Sequence, residues 1–283
     1  MDWNIKSPKM YRNLLVCQVM KAFYTIVGVL MVCPWFSGCG GDEKDNIPTI
    51  RIAAASGLKF ALEAALDTLA QQEPGFQTSV TYGSSGNMRA QIEQGAPFDL
   101  FFSADANFVH QLVEAGAAEA RDVFPYAIGR IVIWVRSDSA IVVETLQEQA
   151  LLAPGVRRIA LANPRHAPYG MAAVAALRHY DLYDDIADRL VFGENIMKAA
   201  HYLESGAADI GIIALSLALA PPMRDQGRFW EIPLDSYPRM NQAGVIVGAT
   251  PHRKEAGKLV AFLQSPEGRK ILQSYGFIIP EDP

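Results

Sequence analysis

From residue 49 onward, short apolar runs alternate with stretches in which apolar residues return every third or fourth position. Ile50–Ala55 reads as a strand. The next stretch, Leu58–Gln72, reads as a helix, with Leu58, Ala61, Leu62, Ala65 and Leu69 on one face. Thr78–Tyr82 predicts a second strand, Met88–Gln94 a short helix closed by Gly95, Asp99–Ser103 a buried strand, and Asn107–Ala115 another helix. This strand–helix order implies a mostly parallel sheet covered by helices. A second unit begins near Ile128. It has predicted strands at Ile131–Val135, Ile159–Ala162, Leu190–Phe192 and Ile210–Ala214, and helices from Pro168 to Arg178 and from Ile196 to Glu204. Gly244–Val247 is strand-like, and Glu255–Leu263 and Gly268–Ser274 are helical. No repeat or heptad seam interrupts the pattern.

The predicted strands end in turns rich in Ser, Gly, Asn and Pro. These are Ala55-Ser56-Gly57, Gly83-Ser84-Ser85-Gly86-Asn87, Asn163–Gly170 and Gly193-Glu194-Asn195-Ile196. In open α/β sheets, ligands bind beyond the carboxyl ends of strands. Helix N-termini there present unpaired N–H groups and about half a positive charge, an anion site that needs no Lys or Arg. Ser56 and Ser85 would add hydroxyl donors. Each is open to the plainer reading of a helix cap, as Tyr169 and Ile196 are to that of packing residues.

Composition narrows the field. The chain has 283 residues, half of them apolar and 19% charged, with a net charge of −5. That is a globular composition, long enough for two lobes, and its acidic balance argues against nucleic acid as a partner. The three cysteines, Cys17, Cys33 and Cys39, all precede residue 40, so the body has no disulfide, thiol nucleophile or thiolate metal site. Lys21 precedes an apolar run, Ala22–Phe36, of signal-peptide length and too short to span a bilayer. Phe36-Ser37-Gly38-Cys39 resembles a bacterial lipobox, with Phe36 where Leu is usual, making Cys39 the lipidation candidate. Simple secretion or an uncleaved anchor is the alternative, and the start is either Met1 or Met20. Residues 40–48 read as a flexible tether. Lys6, Lys9, Arg12 and Lys21 against Asp2 give residues 1–38 a net of +3, which leaves −8 for the rest.

Several chemistries are missing from the sequence. Asn87 breaks the nucleophile-elbow pattern that Gly83–Gly86 begins, and the chain has no dinucleotide, P-loop or zinc-protease motif. His110, His179 and His201 fall in predicted helices. His166 lies in the Asn163–Gly170 loop and is the one histidine placeable near the cleft. Asp105 reads as a helix cap or a stabilising partner beside Asp99, not as an acid catalyst.

The same turns resemble the molybdate-binding proteins of bacterial ABC importers, which have the type II periplasmic binding-protein fold. The matching stretches are Ala53–Gly57, Tyr82–Asp105, Tyr126–Trp134, Asn163–Gly170, Ser205–Ala214 and Ser274–Pro280, across roughly residues 49–283. The resemblance implies a two-lobed α/β fold with lobe I at 49–127 plus 241–283, lobe II at 128–240, and crossings near Tyr126–Arg130 and Ser236–Gln242. It implies capture of molybdate, and of tungstate, by Ser56, Gly57, Ser85, Tyr169 and Ile196. Some members use a Tyr hydroxyl where Ala214 stands here, which shifts that bond to Tyr169. It further implies no enzymatic activity, no cofactor, a monomer, an extracytoplasmic location, and delivery to a permease and its ATPase. Rival readings are a binding protein for sulfate, phosphate, iron or an organic solute, a signalling subunit, and a serine hydrolase using Ser85 with His166 as base.

Overall fold

A computed structural model of the chain describes residues 48–280. The leader, the Cys39 motif and the tether expected over 1–48 lie outside the described residues, save Pro48. Among the described residues, ten strands form two sheets of five. In chain order they are β1 (Thr49–Ala55), β2 (Gln77–Gly83), β3 (Leu100–Ser103), β4 (Ala118–Gly129), β5 (Ile131–Arg136), β6 (Ile159–Ala162), β7 (Leu190–Gly193), β8 (Ile210–Ala214), β9 (Gly227–Glu231) and β10 (Met240–Val247). The helices are α1 (Lys59–Gln72), α2 (Ser85–Glu93), α3 (Ala106–Glu114), α4 (Val143–Leu146), α5 (Pro168–His179), α6 (Tyr183–Ile186), α7 (Ile196–Glu204), α8 (Leu215–Ala218), α9 (Pro221–Arg224), α10 (Arg253–Gln264) and α11 (Pro266–Ser274).

The first sheet runs β2-β1-β3-β10-β4 and the second β7-β6-β8-β5-β9. The chain passes from one to the other at Arg130 and returns between Glu231, the end of β9, and Met240, the start of β10. Each sheet has a parallel half and an antiparallel half. β1 pairs parallel with β2 and β3, while β10 runs antiparallel to β3 and β4. The same holds for β6 with β7 and β8, against β5 with β8 and β9. The parallel halves are the strand–helix units that the sequence displays. The antiparallel pairs come from strands next to the crossings, so mixed sheets replace the mostly parallel ones expected.

Both faces of the first sheet are buried, and side chains divide between them with period two. Ile52, Ala54, Leu100 and Phe102 join Leu62, Leu69, Leu259 and Leu272 of α1, α10 and α11 in one cluster. Ala53, Phe101 and Val245 join Met88, Ile92, Val109 and Leu112 of α2 and α3 in another. The second sheet packs around Ile131–Val135, Ile159–Ala162 and Ile210–Ala214.

This arrangement decides where the turns go. β1, β2 and β3 point the same way, so Ser56, Ser84–Ser85 and Ala104–Asp105 emerge along one edge. β6, β7 and β8 do the same for Asn163–Pro168, Asn195–Ile196 and Leu215–Ser216. Two strands escaped the sequence reading, β4 and β9. Each is a sheet edge. β4 carries Pro125 and a polar outer half, which an edge tolerates because one row of its backbone groups needs no partner.

Phe102 is fully buried and meets Phe124 and Tyr126 edge-on, at centroid distances of 5.7 and 5.6 Å. Phe102→Ala should therefore cost about 3–5 kcal/mol, the range for a large aromatic lost from a close-packed core. A lowered urea midpoint with unchanged slope is the expected observation.

Candidate functional site

The two rows of turns meet around a small hollow. Its walls include Ser56, Gly57 and Ser85 from the first lobe, and Ala167, Tyr169 and Ile196 from the second. All five residues singled out in the sequence are thus brought together. The hollow is small, with a volume of about 10 Å³, about the space of a single water molecule. Among the described residues no charged side chain lines it.

Each donor is held by its own local structure. Ser56 opens a single 3-10 turn, Ser56–Leu58, that follows β1 directly. It is 2% exposed, and its hydroxyl oxygen is buried without a hydrogen-bond partner. Ser85 is the first residue of α2 and fully buried. Its oxygen accepts from the Ala104 amide at 3.0 Å, which leaves the hydroxyl proton to donate elsewhere. Ile196 is the first residue of α7. The Asn195 cap accepts from the Lys198 amide at 3.0 Å and fixes the start of that helix. Asp105 caps α3 by accepting from the Asn107 amide at 2.9 Å. Asp99 is fully buried and accepts from the Arg51 amide and the Thr250 hydroxyl, a structural role.

Tyr169 sits just inside α5, after Pro168, whose ring suits the first helical turn. Its ring lies over Gly57, where a Cβ would stand 2.7 Å from the Tyr169 Cε2 atom. Its hydroxyl oxygen accepts from Gln242 Nε2 at 2.9 Å. The Gln242 carbonyl oxygen lies 2.9 Å from the Tyr126 hydroxyl, which donates to it or to the Ser103 carbonyl. Gln242 is thereby oriented with its amide N–H toward Tyr169. The Ser216 hydroxyl donates to the Gly57 carbonyl at 2.6 Å, tying the first turn to α8. Gln242 and Ser216 were missed in the sequence. Gln242 sits in a stretch with no motif, and Ser216 in an apolar run that reads as core.

Burial pushes the Tyr169 phenol up to about 12, with the Gln242 and Ser216 hydrogen bonds pulling the other way. The group is therefore a neutral donor throughout the physiological range. His166 does not reach Ser85. Its Nδ1 lies 2.9 Å from the Ser84 hydroxyl, and among the described residues no carboxylate bonds to it. The serine–histidine arrangement that a hydrolase using Ser85 would need is absent from this geometry. Among the described residues no cluster of His, Cys, Asp and Glu could hold a metal ion, and no helix is long and apolar enough to cross a membrane.

A sequence model of the bacterial extracellular solute-binding protein matches residues 50–278. The chain belongs to that family. Within it, the chain is 30% identical over 237 residues to the molybdate-binding protein ModA of Rhodobacter capsulatus, covering 81% of this chain and 91% of that one. The periplasmic molybdate-binding protein of Azotobacter vinelandii has a solved structure with 31% identity and a TM-score of 0.77, covering 82% of this chain and 100% of the other. The sulfate-binding protein SubI of Mycobacterium tuberculosis shares the fold, at 16% identity and a TM-score of 0.64. The relatives are solute-binding proteins and not enzymes, and they place this solute-binding protein outside the cytoplasm.

Burial raises the phenols of Tyr126 and Tyr237 as well as that of Tyr169. A phenol that ionises at higher pH when folded stabilises the fold fully below its unfolded value of 10.0. That stability is lost as pH rises through the folded values. Denaturant midpoints should accordingly hold steady up to about pH 9 and fall between about pH 10 and 12. Tyr169→Phe should remove part of that fall.

Proposed function

We propose that this solute-binding protein captures molybdate, and tungstate with it, between its two lobes, and hands the closed complex to the permease and ATPase of an ABC importer. The observation that carries the reading is a small hollow between the lobes that pairs hydroxyl donors with helix N-termini and has no charged wall among the described residues. The Ser56 hydroxyl, buried and without a partner, is the group that most needs a guest, because an unmet polar atom in the interior costs about 1–3 kcal/mol. A cation would find no carboxylate in this hollow. Phosphate, which can carry a proton, would find no acidic acceptor. The likeness to two molybdate-binding proteins favours molybdate over sulfate.

In this reading Ser56 and Ser85 donate hydroxyl protons, Gly57 and Ile196 donate backbone N–H groups, and Tyr169 donates its phenolic proton. Micromolar binding needs about 8 kcal/mol. Hydrogen bonds to charged oxygens at about 1.5–3 kcal/mol each supply it after ordering costs. Sulfate is also a tetrahedral dianion and accepts the same bonds, so cavity size separates the two. Lipidation of Cys39 would hold the protein at the membrane that carries the permease. The protein acts as a monomer with no cofactor.

Calorimetric titration with molybdate, tungstate, sulfate and phosphate tests the reading. Heat is expected for the first two. Ser85→Ala should weaken molybdate binding by about 1–3 kcal/mol, and Tyr169→Phe similarly. Absence of heat with both oxometallates, or unchanged affinity in both variants, would remove the assignment.

A further inference from the structure

The turn between β2 and α2 divides its polar groups between two tasks. Ser84 and Ser85 both line the hollow, while Ser84 and Gly86 also reach to the opposite lobe. Ser84 is the N-cap residue of α2, where a serine hydroxyl ordinarily accepts from its own helix. It makes no such bond. Instead its oxygen lies 2.9 Å from His166 Nδ1. The Gly86 amide, one of the orphan donors of the first helical turn, donates to the His166 carbonyl at 3.0 Å. A Cβ on Gly86 would stand 2.8 Å from that carbonyl oxygen and 3.1 Å from the His166 Cα. The helix itself accepts any residue there, so the opposing loop and not α2 demands glycine.

The other side of the contact is held in place. Asn163 accepts from the Arg165 amide through its side chain at 3.1 Å and from the Ala167 amide through its carbonyl at 3.0 Å. His166 sits between those two residues, on a turn braced by its own hydrogen bonds. It is not part of the wall of the hollow.

We propose that Ser84, Gly86 and His166 form a latch between the lobes, which sets the anion's dwell time although His166 never touches the anion. The proposal rests on the capture reading above. Bonds made only in the closed arrangement shift the open–closed balance, and apparent affinity follows the closed fraction. A latch that ignores the guest must change the affinity of every guest by the same factor. His166 and Ser84 are positioning residues in this scheme.

The test is stopped-flow fluorescence of the purified protein with molybdate, tungstate and sulfate, alongside small-angle scattering. His166→Ala and Ser84→Ala should each raise the molybdate dissociation rate about five- to tenfold, with association changed less than about threefold. The double variant should match the larger single, since both remove one bond. In His166→Ala the ratio of molybdate to tungstate affinity should stay at its wild-type value. Gly86→Ala should leave the saturated protein wider by scattering, because its methyl wedges the lobes apart. A wild-type dissociation rate in both single variants would overturn the latch, and so would an altered affinity ratio in His166→Ala. Ser84→Ala keeps the test open if His166→Ala disturbs folding. If the wild-type protein gives no signal with molybdate, the capture reading falls. The latch is then judged on ligand-free scattering, where a wider His166→Ala protein supports it and identical curves overturn it.

Discussion

The hollow between the two lobes contains no formal charge, and the rest of the site follows from that constraint. A buried Lys or Arg would attract an anion strongly, but it would also stand desolvated and unpaired whenever the lobes had no guest. Dipoles avoid this. Hydroxyls and amides at helix mouths carry partial charge that costs little to bury, and folding fixes their directions in advance. The supporting bonds show how. The Ala104 amide occupies the acceptor side of Ser85, and the Gln242 amide occupies that of Tyr169. Each hydroxyl has one proton, so satisfying its oxygen from behind directs the proton elsewhere. Burial keeps the Tyr169 proton in place.

Dipolar binding works only at short range, which makes the approach of the lobes as important as the donors. Two glycines permit it. Gly57 lies under the Tyr169 ring, and Gly86 lies against the His166 backbone. In both places the missing side chain belongs to one lobe and the space is filled by the other. The GSSG turn therefore has a geometrical logic. Ser84 and Ser85 both face the hollow, and Ser84 and Gly86 also reach the opposing lobe. Fixed donors and fixed closure come from one rigid turn at the mouth of α2, so neither can shift without the other.

The sequence exposes the parts of this design that local chemistry dictates. The strand–helix rhythm of 49–115 and 159–214 is visible because buried parallel strands are short apolar runs and their helices keep a clean period. Ser56 and Ser85 are visible because strand-to-helix turns have a recognisable composition. Tyr169 and Ile196 are visible only through the resemblance, since an isolated aromatic or aliphatic in a turn reads as a packing residue. Gln242 and Ser216 are hidden because their roles depend on partners 73 and 159 residues away. β4 is hidden because an edge strand with a proline and charges has no buried-strand signature. The direction of Ser84 is hidden for a different reason. Sequence places a serine at the cap of α2, and only the fold shows its hydroxyl turned away from that helix.

The acidic surface fits the same scheme. Without residues 1–38 the chain carries −8, an awkward sign for attracting an anion from a distance. At physiological ionic strength, charges further apart than about 8 Å are largely screened. The general surface thus neither draws in an anion nor repels it much, and in the proposed reading a compact dianion is held only where amides and hydroxyls converge at contact distance. Such a site gains little from long-range steering, so its affinity resides chiefly in slow release. Slow release is what closure supplies, and the proposed latch gives the interlobe contacts at Gly86 and His166 that role.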